Sequence, residues 1–274
     1  MNRTVKRKGY ERNLEIVPRM RMSVAAFMLS ASLVATSRAQ ERAKTIHVFV
    51  ALCDNEHQGI VPVPKELGKG DDPAHNLYWG ARYGVRTFLG RSPDWTRVKT
   101  EKNPRAEVLE RVVLKHKKAR AYLVADAYRG DQIKKAILDF LNAAGGNHPA
   151  TLEFEKESIG LQGGADLVVY VGHDGLMDFS VEPPVPEKQA KPRDAMVLAC
   201  KSKSYFQPHL SQVRAKSVLL TTGFMAPEAY TLEAAVAGWL AKEPPEKIGE
   251  RAAHAYDKYQ KCGLKAARRL FCSE

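Results

Sequence analysis

Two stretches decide the fold of this chain: Asp166-Leu-Val-Val-Tyr-Val-Gly-His173 and Ala195-Met-Val-Leu-Ala-Cys200. Each is a short, unbroken apolar run without the polar alternation of a half-exposed strand, which is the pattern of a strand buried on both faces of a sheet. Each runs straight into a residue with chemistry of its own, His173 or Cys200. Residues 45–52, 121–125 and 217–221 are three further apolar runs of the same kind.

The segments between them read as helices and loops. A glycine- and proline-rich loop covers residues 54–72. Asp72-Pro73 then supplies an N-cap and a proline for the first helical turn, and Leu77, Ala81, Val85, Phe88 and Leu89 recur at helical spacing as far as Gly90. Residues 108–115 fit a helix started by Asn103-Pro104 or a strand, and the helix is preferred. Asp131 can cap a helix over residues 132–143, which carries Ile133, Ala136, Ile137, Phe140 and Leu141 and ends at Gly145-Gly146. Four prolines, Pro183, Pro184, Pro186 and Pro192, make the crossover between the two deciding strands a loop. Residues 227–242 form a helix, and the chain from Pro245 on is helical, with Ile248, Ala252, Ala255, Tyr259 and Leu270 on one side.

Strands alternating with helices predict a three-layer α/β sandwich, a mostly parallel sheet with helices on both faces. Its domain spans residues 40–244, with a helical segment, 245–274, packed on it. Parallel strands joined by right-handed crossovers present their C-terminal ends at one edge, where ligands and catalytic groups gather. Those ends carry Cys53-Asp54-Asn55, His173 and Cys200.

The 274 residues include 43 Lys and Arg against 31 Asp and Glu, a net charge of +12. With 44% hydrophobic and 27% charged residues, the composition excludes global disorder, collagen-like repeats and a multi-span membrane protein. Half of the charge excess lies in residues 1–39, where eight basic residues face two acidic ones. That stretch is organised as a secretory signal: a long basic region ending at Arg21, an apolar run over residues 23–35 too short for a membrane span, and Ser37-Arg38-Ala39 before Gln40. The expectation is a mature protein starting near Gln40, secreted or periplasmic, without a transmembrane span. The +6 that remains, 35 basic against 29 acidic residues, is spread along the chain, so a nucleic-acid partner is not expected.

Cys53, Cys200, Cys262 and Cys272 form no C-x-x-C pair, and no HExxH spacing occurs, so neither a metal site nor a cofactor is expected. A thiolate is an effective nucleophile near neutral pH, and an imidazole can favour the thiolate and protonate a leaving amine. Cys200 and His173 on neighbouring strand ends therefore make a candidate catalytic pair.

An apolar strand ending in His, followed by one ending in Ala-Cys, resembles the caspase, legumain and gingipain group of cysteine peptidases. The similarity extends to Ser202 and Ser204 after the cysteine, to Val218-Leu-Leu-Thr-Thr222-Gly223, and to an Asn after the first strand, Asn55. The resemblance implies a caspase-like fold in which the His173 strand separates the first strand from the Cys200 strand. It implies a Cys200 nucleophile, a His173 acid/base oriented by Asn55, and an oxyanion site made partly by the Cys200 N–H, acting on a peptide or protein substrate. Two departures stand out. The group has Gly directly after the histidine, supplying an oxyanion N–H, whereas here Asp174 intervenes and Gly175 comes second. The acidic residue two before the cysteine is replaced by Leu198. Asp174 either orients His173 or burdens the oxyanion site with a carboxylate, and the latter describes a catalytically inactive binding or scaffold protein of the cell envelope.

Three weaker signals have plainer explanations. Arg129-Gly130-Asp131 spells an integrin-type tripeptide but fits a helix start. Tyr78, Trp79 and Tyr83 with Arg82 and Arg86 resemble a stacking face but fit a half-buried helix. Lys258, Lys261, Lys265, Arg268 and Arg269 read as a solvated helix surface.

Overall fold

The computed structural model describes residues 42–273, together with Met1, Thr4, Gly9 and Glu15. The expected signal over residues 1–39 lies outside the continuous described segment. Met1–Gln40 and Glu41–Glu274 are two separate units, and the second carries the fold.

Its centre is an eight-stranded sheet. β1 (Lys44–Ala51) lies between β4 (Ala121–Tyr128) and β7 (Leu167–Val171); β8 (Asp194–Leu198) and β9 (Lys216–Thr221) follow on the β7 side, all five parallel. Antiparallel strands close both edges: β3 (Val108–His116) and β2 (Trp95–Arg105) beyond β4, and β10 (Phe271–Cys272) beyond β9. β5 (Ala150–Phe154) and β6 (Glu157–Leu161) form a separate hairpin.

Alternate residues of each central strand point to opposite faces, and each face has its own core. Ile46, Val48 and Val50 of β1, with Val169 of β7 and Met196 and Leu198 of β8, meet α4 (Ala229–Leu240) and α5 (Pro245–Gln260) through Leu232, Val236, Ile248 and Ala252. Phe49, Val168, Tyr170 and Val197 meet α2 (Ile133–Ala144) and α3 (Ser202–Gln212) through Ile137, Phe140, Phe206 and Leu210. The chain is thus an α/β protein with helices on both faces of a mostly parallel sheet.

Several local expectations are corrected. Residues 108–115 are a strand: Val108, Val112 and Val113 suit a pleated surface, and pairing to β2 and β4 on both sides takes the run into the sheet, with Asn103-Pro104 inside β2 rather than at a helix start. The helix expected from Pro73 is turns until α1 (Val85–Gly90). Asn76 prevents a longer helix by turning its side chain onto the backbone: it accepts from the N–H groups of Cys53 and Tyr78 and donates to the Cys53 carbonyl. Asp131 does not cap α2 through its side chain, which pairs with Arg129. Tyr78, Trp79, Tyr83 and Arg86 are buried or partly buried, as the half-buried reading expects, with Trp79 fully buried and Arg86 bound to the buried Glu110, although the segment up to Gly84 is turns rather than helix. The C-terminal segment is not wholly helical, because α6 (Leu264–Leu270) leads into β10, which completes the sheet. The surface of Lys258, Lys261, Lys265, Arg268 and Arg269 is exposed, as expected, with Arg268 paired to Glu250.

A buried charge network ties β1, β3 and β4 together. Arg111 donates to both oxygens of Asp126 at 2.6 and 2.7 Å, and His47 Nε2 meets the same carboxylate at 3.2 Å. Nδ1 of His47 accepts the Gln162 N–H, which fixes the proton on Nε2. Burial holds His47 below its ordinary pKa, in the neutral form. Burial opposes ionisation of Asp126, but its bonds from Arg111 and His47 outweigh that and hold the carboxyl well below the usual range.

Candidate active site

β7 and β8 are paired in register, with Val171 opposite Leu198, and His173 and Cys200 each lie two residues further on. Equal overshoot from a paired position sets the two residues at the C-terminal edge, on the ends of adjacent strands. The Gly172 N–H donates to the Leu198 carbonyl at 3.3 Å, carrying the pairing beyond β7. Gly172 has φ +152°, and a Cβ there would stand 2.9 Å from the Ala51 oxygen, so only glycine lets the chain leave β7 in this direction.

The turn after Cys200 is held from β9. Lys201 is left-handed at φ 49° and Ser202 opens α3. The Ser202 N–H donates to Thr221 Oγ1 at 3.1 Å, the Thr221 N–H donates to Ser202 Oγ at 2.8 Å, and Thr221 Oγ1 donates to the Ala199 carbonyl. The half-buried Cys200 sulfur sits against the Met225 backbone, 3.5 Å from its oxygen and 3.4 Å from its nitrogen. Burial raises the Cys200 pKa; the Met225 N–H and Lys201 pull it down, while Asp174 pushes it up. The resting group is a thiol and needs a base to attack.

His173 has a base's surroundings. Its side chain is 8% exposed, and Nε2 meets Asp178 Oδ2 at 2.7 Å. Asp178 also accepts the Gly59 N–H at 2.9 Å, which fixes it to the loop after β1. With Nε2 engaged, Nδ1 is the ring nitrogen left to exchange a proton. Asp178 was missed in the sequence because nothing in an acidic residue five places after a histidine marks it; a 3₁₀ turn over Gly175–Met177 brings it back.

Asn55 does not orient His173. Its side chain donates to the Val63 carbonyl at 2.9 Å and accepts the Val63 N–H at 3.0 Å, so the amide closes the loop after β1 upon itself. The oxyanion role expected of Gly175 is also corrected, because its N–H donates to the His173 carbonyl. The backbone N–H groups of Cys200 and Asp174 bind no acceptor among the described residues. Asp174 has φ −80°, open to any residue, so glycine is not required directly after the histidine.

The Asp174 side chain is fully buried. Oδ1 accepts the Leu176 N–H at 3.1 Å and Oδ2 has no partner. Burial pushes its pKa up to about 7; the Leu176 N–H lowers it and Asp178 raises it. Cys53 is buried, its pKa pushed to about 11 chiefly by burial, which describes an inert core thiol. All four cysteines are free thiols; Cys262 is exposed between α5 and α6, and Cys272 lies on β10. A cleft of about 410 Å³, lined by Met177, Asp178, Phe179 and Tyr205 among others, opens beside the site. Among the described residues, no group of His, Cys, Asp or Glu is arranged to hold a metal ion, and no helix is long and apolar enough to cross a membrane.

The fold and this edge define an α/β protein with a thiol and a histidine on adjacent strand ends. No family model, curated protein or solved structure matches the chain.

If His173 acts as an acid/base, Asp178→Asn is expected to lower kcat roughly 100-fold with a smaller change in KM. Initial rates on a cleaved peptide across pH measure it; an unchanged kcat and pH profile would exclude a positioning role for Asp178.

Proposed function

We propose that this chain is a cysteine endopeptidase with a caspase-like fold, working through Cys200 and His173. The observation that carries the reading is that the two residues follow at equal distance the paired Val171 and Leu198 on adjacent strands, with His173 held by Asp178. The sheet order adds to it: β7, the His173 strand, separates β1 from the Cys200 strand, as the resemblance to caspases, legumains and gingipains implies.

In this reading His173 takes the Cys200 proton and the sulfur attacks the peptide carbonyl. The oxyanion is met by the N–H groups of Cys200 and Asp174. The imidazolium then protonates the leaving amine, and water hydrolyses the acyl-enzyme with His173 as base. Residues 1–39 support export to the periplasm or beyond, and the N-terminal mass of the secreted protein tests this. The direct test of activity is cleavage of a peptide library by the native chain. No cleavage, together with no labelling of Cys200 by a thiol-directed peptide probe, would exclude the reading.

A second reading, a catalytically inactive scaffold, is favoured by one observation. Asp174 places a buried carboxyl with an unsatisfied oxygen close enough to oppose thiolate formation. As pH rises through about 7 the carboxyl ionises, and its charge pushes the thiol pKa up. Asp174→Asn removes that charge, so the pH midpoint for Cys200 alkylation is expected to move down. Iodoacetamide rates in a Cys262→Ser background measure it. An unmoved midpoint would mean that Asp174 does not restrain the thiol.

A further inference from the structure

The edge of the sheet opposite Cys200 has a cavity of its own. Lys44, Asp194 and Lys216 are the first residues of β1, β8 and β9, and with Trp239 near the end of α4 and Lys242 in the turn after it they line a space of about 340 Å³. That is at the small end of ligand sites and holds one ring with a substituent rather than a peptide.

Its charges are unbalanced. Two carboxylates reach the cavity, and both are engaged: Asp194 Oδ2 accepts the Trp239 indole N–H at 2.7 Å, and Glu243 takes both arms of Arg251 at 2.6 and 2.7 Å. Lys44 shares Asp166 with Arg42. Neither Lys216 nor Lys242 is paired with a carboxylate among the described residues. The indole N–H is neutral and leaves Asp194 its charge, so Lys216 and Lys242 set two ammonium groups against one uncompensated carboxylate, a net positive balance in the cavity.

Its aromatic wall is fixed in advance. The bond to Asp194 pins the Trp239 ring, and the buried Val218 and Ile248 complete an apolar floor. A flat ring can lie on that wall without first ordering it, while an anionic substituent meets the lysines.

We propose that this cavity binds a small aromatic anion, a flat ring bearing a phosphate or carboxylate. Phenyl phosphate and benzoate are probes for the two kinds of anion, inorganic phosphate carries the charge without the ring, and phenol carries the ring without the charge. Trp79 and Trp95 are buried, so quenching of the partly exposed Trp239 reports occupancy of this site in the full chain. The expected result is saturable quenching by phenyl phosphate, benzoate or both, each binder tighter than inorganic phosphate and phenol. Binding weakens at least tenfold in the Lys216→Gln, Lys242→Gln double variant and as salt is raised. Both lysines are exposed, so this variant is expected to fold, and its unfolding midpoint checks that. Absence of saturation by either aromatic anion up to about 10 mM, equal binding in the double variant, or inorganic phosphate binding as tightly as the aromatic anions would overturn the proposal.

Discussion

A Cys200→Ala variant is expected to lose peptide hydrolysis by at least about 1,000-fold while keeping the native unfolding midpoint to within about 1 kcal/mol. The asymmetry follows from what the sulfur touches. Its hydrogen-bonding contacts are the N–H and carbonyl of Met225, and bonds to sulfur are weak, whereas the turn around it is held independently by Ser202 and Thr221. Removing one atom from a half-buried position costs the fold little, but it removes the nucleophile of the proposed mechanism. The raised pKa of the thiol sharpens the expectation: activity should rise with pH on the alkaline side of neutrality, because a larger share of the thiol is then ionised. Peptide cleavage and active-site labelling measure the loss, with Cys262→Ser as background because Cys262 is the exposed thiol. Full activity in Cys200→Ala would remove the thiol from the mechanism.

The largest effect on stability is expected from Asp126→Ala, about 3–5 kcal/mol in urea unfolding. Asp126 and His47 are both fully buried and Arg111 nearly so, so deleting the carboxylate leaves a guanidinium and an imidazole N–H without their acceptor in a low-dielectric interior. The pH dependence separates the partners. His47 is held neutral in the folded state, below its ordinary value of 6.5, so below pH 6.5 the unfolded chain binds a proton that the folded chain refuses, and stability falls as pH falls. Asp126 is held ionised below its ordinary value of 3.8, so its stabilisation is complete above pH 3.8 and is lost as pH falls further. Asp126→Ala should keep the first loss and abolish the second. An Arg111→Met, Asp126→Leu double variant should recover much of the deficit, because replacing both partners leaves no buried charge. A single-variant loss below 1 kcal/mol would mean that the network is dispensable.

The sequence by itself determined the central strands, because a strand buried on both faces needs a continuous apolar run and few other structures tolerate one that short. Residues 45–52, 167–171, 195–198 and 217–221 needed no partner to be recognised, and their succession with helices between them dictated the mostly parallel sheet. The place of His173 and Cys200 at its edge was legible for the same reason, since each closely follows such a run. Tertiary structure alone decided what lies between and around them. β2, β3 and the β5–β6 hairpin are mixed in polarity and become strands by pairing; β10 is two residues that exist as a strand only against β9. The partners of the site were hidden likewise. Asn55 has the right side chain in the right loop, but its amide is consumed locally by Val63, and the carboxylate that reaches His173 comes from Asp178 through a 3₁₀ turn without periodicity of its own. Local apolar pattern is set by burial and can be read along the chain. Which polar group meets which is set by the direction of a few bonds in space, and only the folded chain fixes those.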